Sequence, residues 1–111
     1  MMRRGQVFNH GRLAGVLDEL EDGRFRFQYD PDYLRDPAVT AVSLTLPKRE
    51  EPFFSDHLFA FFHGLLAEGS TRQLQCRLLQ IDEEDAFGLL LATGRDTIGS
   101  VSVKSAEEDA S

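Results

Sequence analysis

Three histidines (His10, His57 and His63), one cysteine (Cys76) and several carboxylate clusters are the side chains through which this sequence could do chemistry. Two imidazoles on one helix share a metal ion when they stand three or four residues apart. His57 and His63 stand six apart and His10 belongs to a turn, so no metal site is expected. Glu19 with Glu21, Glu50 with Glu51, and Glu83 to Asp85 are grouped acids. General acid–base work needs carboxylates in a desolvated cleft with displaced pKa values. These acids fall in turn and helix-start contexts, where capping and solvation account for them. Cys76 has Arg72 and Arg77 as helical neighbours, a setting that favours a thiolate. A buried, idle thiol is the simpler reading of a lone cysteine.

Nucleotide chemistry fares no better. The segment GRDTIG (94–99) has a glycine pair but fits neither GxGxxG nor GxxxxGK[ST]. A kinase needs a Gly-rich loop, a strand lysine, an Asp base with a downstream Asn, and a magnesium-binding Asp. Lys48 and Lys104 are the only lysines, and the nearest thing to a DFG is Ala86-Phe87-Gly88. The expectation is a chain with no catalytic residues, no metal and no cofactor, hence not an enzyme.

Composition narrows the partners. A net charge of -7 and a pI near 4.8 oppose direct binding to a phosphate backbone, which calls for a basic stripe. An acidic surface suits solubility and association with basic surfaces of another macromolecule. A single cysteine forms no internal disulfide and fits a reducing cytosol, so a cytoplasmic location is expected. MMRRGQVFNHG lacks the apolar run of a signal peptide, and no stretch approaches 18 apolar residues, so no membrane contact is expected.

Any site must be positioned by the elements around it. QVFN and RLAGVL flank His10-Gly11, a hairpin signal. After a turn at Glu21-Asp22-Gly23, RFRFQY alternates Phe25, Phe27 and Tyr29 with polar residues, the period of a half-buried strand. Asp30-Pro31 and Asp36-Pro37 frame an irregular stretch. AVSLTLP predicts a fourth strand with Val42, Leu44 and Leu46 on one face, and IGSVSV a last one. In between, Ser55 reads as the cap of a helix carrying Leu58, Phe59, Phe61, Phe62, Leu65 and Leu66, with Gly69 as its left-handed stop. Ser70 or Thr71 predicts a second helix through Leu74, Leu78 and Leu79; Asp82 predicts a third with Phe87, Leu90 and Leu91. The pattern is α+β: an antiparallel or mixed sheet of about five strands with two to three helices. One domain spans 1–104, and 105–111 (SAEEDAS) reads as a disordered acidic tail.

Phe53, Phe54, Phe59, Phe61 and Phe62 fall within ten residues, more rings than one face of a helix on a small sheet absorbs. Outward aromatics of this kind anchor partners. Gly64 costs about 1 kcal/mol against Ala inside a helix and permits close approach of another backbone.

SLTLP, FFSDHLFAFFHGLLAEG and FGLLLATGRDTIGSVSV, in this order and spacing, resemble the N-terminal subdomain of the HipA family of bacterial serine/threonine kinase toxins. With GRLAGVL and RFRFQYDPDYL the resemblance runs to about Val103, and GRDTIGSVSV is its most specific part. In full-length HipA proteins this subdomain precedes the kinase core. The family includes split systems in which a short protein (HipS) accompanies a shortened kinase (HipT) and a helix-turn-helix protein (HipB). The resemblance implies an antitoxin that binds and inhibits a HipT- or HipA-type kinase, with a HipB-type protein as a further partner. The competing implication is an accessory subunit that helps a split kinase fold or dock. The residues expected to meet the kinase are Phe59, Phe62, His63, Gly64, Glu68 and Gly69.

Overall fold

Two backbone positions shape the opening hairpin. β1 (Arg4–Asn9) pairs antiparallel with β2 (Arg12–Glu19) across His10 and Gly11, both at positive φ, 52° and 79°. Two such residues in succession give the tight turn whose twist matches a β-hairpin. The structure, a computed structural model, describes residues 3–97 and 99–106. β3 (Phe25–Tyr29) lies against β2, and this approach depends on Gly15, where an added Cβ would stand 2.4 Å from the Gln28 carbonyl oxygen. β4 (Phe53–Ser55) extends the sheet beyond β3, and β5 (Val101–Ser105) returns to the free edge of β1. The result is an open antiparallel sheet in the order β4-β3-β2-β1-β5.

Among the described residues, four α-helices complete an α+β fold. α1 (Pro31–Arg35) follows β3 directly, started by Asp30, whose carboxylate accepts from Asp32 N–H, and by Pro31 in the first turn. α2 (Ala60–His63) and α4 (Ala86–Thr93) bring Phe62, Phe87, Leu89 and Leu90 onto the sheet face formed by Val7, Leu17, Phe27 and Val103. Phe27 and Phe62 meet with ring centroids 5.5 Å apart, as do Phe25 and Phe87. α3 (Gly69–Leu79) lies at the periphery and buries only Cys76.

Ion pairs fix how the layers meet. Arg3 reaches Glu19 at 2.7 Å and Asp85 at 2.9 Å, while Asp85 also accepts from Gly88 N–H at 3.0 Å as the N-cap of α4. One guanidinium thereby ties β2 to the start of α4. On the sheet's other side Asp18, 5% exposed, lies between Arg4 (2.6 Å) and Arg26 (2.8 Å).

Several expected elements differ. AVSLTLP is not a strand: it forms a turn with one isolated bridge, Ser43 to Leu46, and Phe53–Ser55 takes the edge position instead. Two phenols are the cause, because a buried tyrosine hydroxyl must find partners. Tyr29 OH accepts from Val42 N–H (3.0 Å) and donates to the Leu46 carbonyl; Tyr33 OH donates to the Thr40 carbonyl and accepts from Asn9 Nδ2 (3.0 Å). Val42 and Leu46 are thereby pulled inward, and Leu44 between them is fully exposed. Ser55, inside β4, caps no helix, and α2 is a single turn that begins after Phe59. Gly69 is left-handed (φ 59°), yet it opens α3 rather than closing α2, ahead of Ser70 and Thr71. Asp85 caps α4, while Asp82 closes the preceding turn by accepting from Glu84 N–H. Ser105 is the last residue of β5; of the expected acidic tail, 107–111 lie outside the described residues.

Candidate partner-binding surface

Of the six residues expected to meet a partner, four come together at the exposed corner between α2 and α3. His63 ends α2, Gly64 caps it in right-handed helical geometry, and Glu68 and Gly69 start α3; all four are exposed. The chain between them turns tightly, with Leu65 N–H bonded to the Phe62 carbonyl and Leu66 N–H to that of His63, each at 3.1 Å. Leu66 is buried beneath this turn and pins it to the core. Phe59, the residue before α2, is half-buried, its ring edge-on to Phe62 at 6.2 Å.

Phe62 requires correction. It is 0% exposed, enclosed by Phe27, Phe59 and Phe61, and offers no surface to another molecule. A helix of one turn has little choice of face, and the ring aligned with Phe27 goes inward. Its contribution to any interface is to hold His63 and Gly64 in place from below.

Other apolar groups are displayed where the sequence suggested core. Leu74 (51% exposed) and Leu78 (72%) stand four apart on the outer face of α3, with Leu79 beside them. Cys76 occupies the covered side. A Leu pair at i and i+4 reads identically whether its stripe faces a sheet or water, so the sequence held no signal for this. Phe54 is the outward aromatic of its cluster (51% exposed), with the Arg24 guanidinium 5.5 Å from its ring centroid.

Two clefts adjoin the corner. One of about 300 Å³ is lined by Gly64, Leu65, Leu66 and Ala67 on one side and by Gln75, Thr93 and Thr97 on the other; Gln75 Oε1 is buried without a hydrogen-bond partner. The other, about 350 Å³, is lined among others by His57, His63, Glu19, Asp56, Glu84 and Asp85. Sequence spacing did not anticipate that both imidazoles border one cleft. Among the described residues, no group of three or more His, Cys, Asp or Glu side chains is placed to hold a metal ion. The displaced ionisations belong to the scaffold. Burial pushes the Asp18 carboxyl up, but hydrogen bonds from Arg4 and Arg26 outweigh it and hold it below the usual range. Hydrogen bonding from Arg3 lowers Asp85, and from Arg12 lowers Asp36, while burial raises the Tyr29 phenol. No helix among the described residues is long and apolar enough to cross a membrane.

A family model described as the HipA N-terminal domain matches residues 5–104. This chain belongs to that family. A solved structure titled "N-terminal domain of HipA toxin" superposes with a TM-score of 0.70 at 35% identity, covering 96% of this chain and 94% of the other. A Haemophilus influenzae protein is 38% identical over 104 residues, 94% of this chain and 93% of its own. A Sinorhizobium fredii protein named "Putative kinase Y4mE" is 34% identical over 95 residues, 86% of this chain but 23% of its own. The chain thus spans less than a quarter of that kinase-named relative. Within the HipA fold, the most specific motif has a structural task. The 3₁₀ turn Gly94–Asp96 packs on β5, where a Cβ on Gly94 would stand 3.0 Å from the Val103 carbonyl oxygen, and the Thr97 hydroxyl donates to the Val101 carbonyl.

Proposed function

We propose that this HipA N-terminal domain is an antitoxin-like binding module that docks on a HipA-type serine/threonine kinase and restrains it, without catalysis of its own. One observation carries the reading: nearly all of this chain matches the HipA N-terminal domain, whereas the match is 23% of the kinase-named relative. More than three quarters of that relative lies outside the matched region, which supports placing its kinase parts there. The α2–α3 corner is the docking element. His63 and Glu68 supply polar contacts, Gly64 and Gly69 let a foreign backbone come close, and Leu74 and Leu78 continue the patch with apolar area. The chain has no tryptophan, so a bulky insert into a kinase cleft falls to a phenylalanine, a histidine or a leucine. A corner seated there excludes substrate or keeps the kinase lobes from aligning.

The test is co-expression with a HipA-type kinase lacking its own N-terminal domain. Rescue of growth, lost when His63→Asp is substituted in a chain that circular dichroism shows to be folded, is the expected result. Growth arrest that requires both chains would refute restraint and establish an accessory subunit.

A further inference from the structure

Positive charge is concentrated in one part of this acidic protein. Five of its twelve Lys and Arg residues line two adjoining clefts, of about 480 and 280 Å³, that share Gln28, Tyr29 and Pro31. Arg4 and Arg26 border the smaller cleft, on the sheet face turned away from α2 and α4; Arg35, Lys48 and Arg49 border the larger one, beside α1. Asp18 and Glu50 among the lining residues, and Asp32 paired with Arg35, oppose them, leaving a local balance of +2 in a chain of net charge -7.

Arg4 and Arg26 share the carboxylate of Asp18 and Arg35 pairs with Asp32, whereas Lys48 and Arg49 are held in place by backbone carbonyls. Lys48 Nζ donates to the backbone carbonyls of Asp36 (2.9 Å) and Val39 (3.1 Å). Arg49 donates to those of Glu51 (3.2 Å) and Pro52 (3.1 Å), with its guanidinium 3.7 Å from the centroid of the Phe53 ring. Carbonyl oxygens fix the orientation of a cation but leave its full charge, so the cost of ordering these side chains is met before any ligand arrives. The cations are spread over two clefts instead of converging on one point. That spacing suits several carboxylates on an extended chain better than a single phosphate. Val16, Pro31 and Leu34 supply an apolar floor for the methylenes of acidic side chains, and Asp18 between Arg4 and Arg26 shows that these guanidiniums accept a carboxylate.

We propose that this groove binds an extended acidic peptide segment of another protein. It lies apart from the α2–α3 corner, shares no lining residue with it, and stands whether or not the kinase reading does. Fluorescence anisotropy with a labelled Glu-Gly repeat peptide tests it. Binding should be saturable, weakened by added salt, and absent for the Gln-Gly counterpart. Arg35→Glu changes an exposed side chain whose ion pair is with the equally exposed Asp32, so it should keep the fold and weaken binding about fivefold, the upper range for one exposed charge pair. Gln28→Glu, at an exposed position shared by both clefts, is an independent variant with the same expected direction. Amide shifts on titration should centre on Gln28, Lys48 and Arg49. No detectable binding, equal binding of the Gln-Gly peptide, preference for single-stranded DNA, or shifts centred on the α2–α3 corner would each overturn the proposal.

Discussion

Phe62 and His63 are chain neighbours with opposite surroundings, because the single turn of α2 directs one ring at Phe27 and leaves the other in water. Their substitutions should therefore separate folding from binding. Phe62→Ala removes a fully enclosed ring and should cost about 3–5 kcal/mol, seen as a lower urea midpoint. His63→Asp should stay within about 0.5 kcal/mol of the parent in the same denaturation series, while calorimetric titration against the kinase loses affinity. If both substitutions unfold the protein, the corner is part of the core and not a docking surface. Leu78→Glu probes the other half of the patch. At 72% exposure it buries little, so stability should again move by less than about 0.5 kcal/mol, and a binding loss without a stability loss would place α3 in the interface. From sequence, the run FFHGLL marked this region as unusual but not which ring faced inward. That choice depends on where a one-turn helix lands relative to Phe27, which no local pattern encodes.

At the scale of elements, Gly64 and Gly69 bracket the corner and should respond to alanine in opposite ways. Gly64 has φ -66°, and a Cβ there would meet only the Ala60 and Phe61 carbonyl oxygens at 3.4 Å. Alanine fits that conformation and restricts the unfolded chain, so Gly64→Ala should stabilise by about 0.5 kcal/mol. Gly69 has φ 59° with open space around a built Cβ, so the penalty for Gly69→Ala is purely conformational, about 1–2 kcal/mol. Matched urea curves decide the pair; a stabilising Gly69→Ala would mean that the left-handed junction is not populated. These two glycines also show what local rules can reach. Gly69 as a left-handed position, the His10-Gly11 hairpin and the alternating β3 were legible because each rests on a backbone preference or a period of two. The supposed strand around Leu44 had the same alternation and failed. The Tyr29 and Tyr33 hydroxyls, distant in sequence, claim the Val42, Leu46 and Thr40 backbone groups that a ladder would have used. α1 was missed for a different reason. Its Asp30-Pro31 start signals a helix as readily as a turn, and its five residues carry too little periodicity to choose.

Across the whole molecule, ionisation joins sheet and helices, and this sets how the fold meets acid. Asp18 and Asp85 are both held below the ordinary carboxylate range, Asp18 by Arg4 and Arg26 against the cost of its burial, Asp85 by Arg3 first. A carboxyl whose folded pKa lies below its unfolded one stabilises the fold at any pH above the unfolded value, about 3.9. That stabilisation disappears as pH falls through the folded value. Melting temperature should therefore hold level or rise slightly on going from neutral pH to about 5, because these pairs stay intact while repulsion in a chain of net charge -7 is relieved. It should drop steeply below about 4, where Arg3, Arg4 and Arg26 lose their charged partners. Asp18→Asn separates this pair-specific effect from general acid repulsion. It leaves two guanidiniums beside a neutral amide in a buried position, and should cost about 2–3 kcal/mol at neutral pH while flattening the acid limb. A variant whose melting temperature falls with acid as steeply as the parent's would show that the Arg4–Asp18–Arg26 bridge does not control the acid limit, and the Arg3 link between β2 and α4 would then carry it.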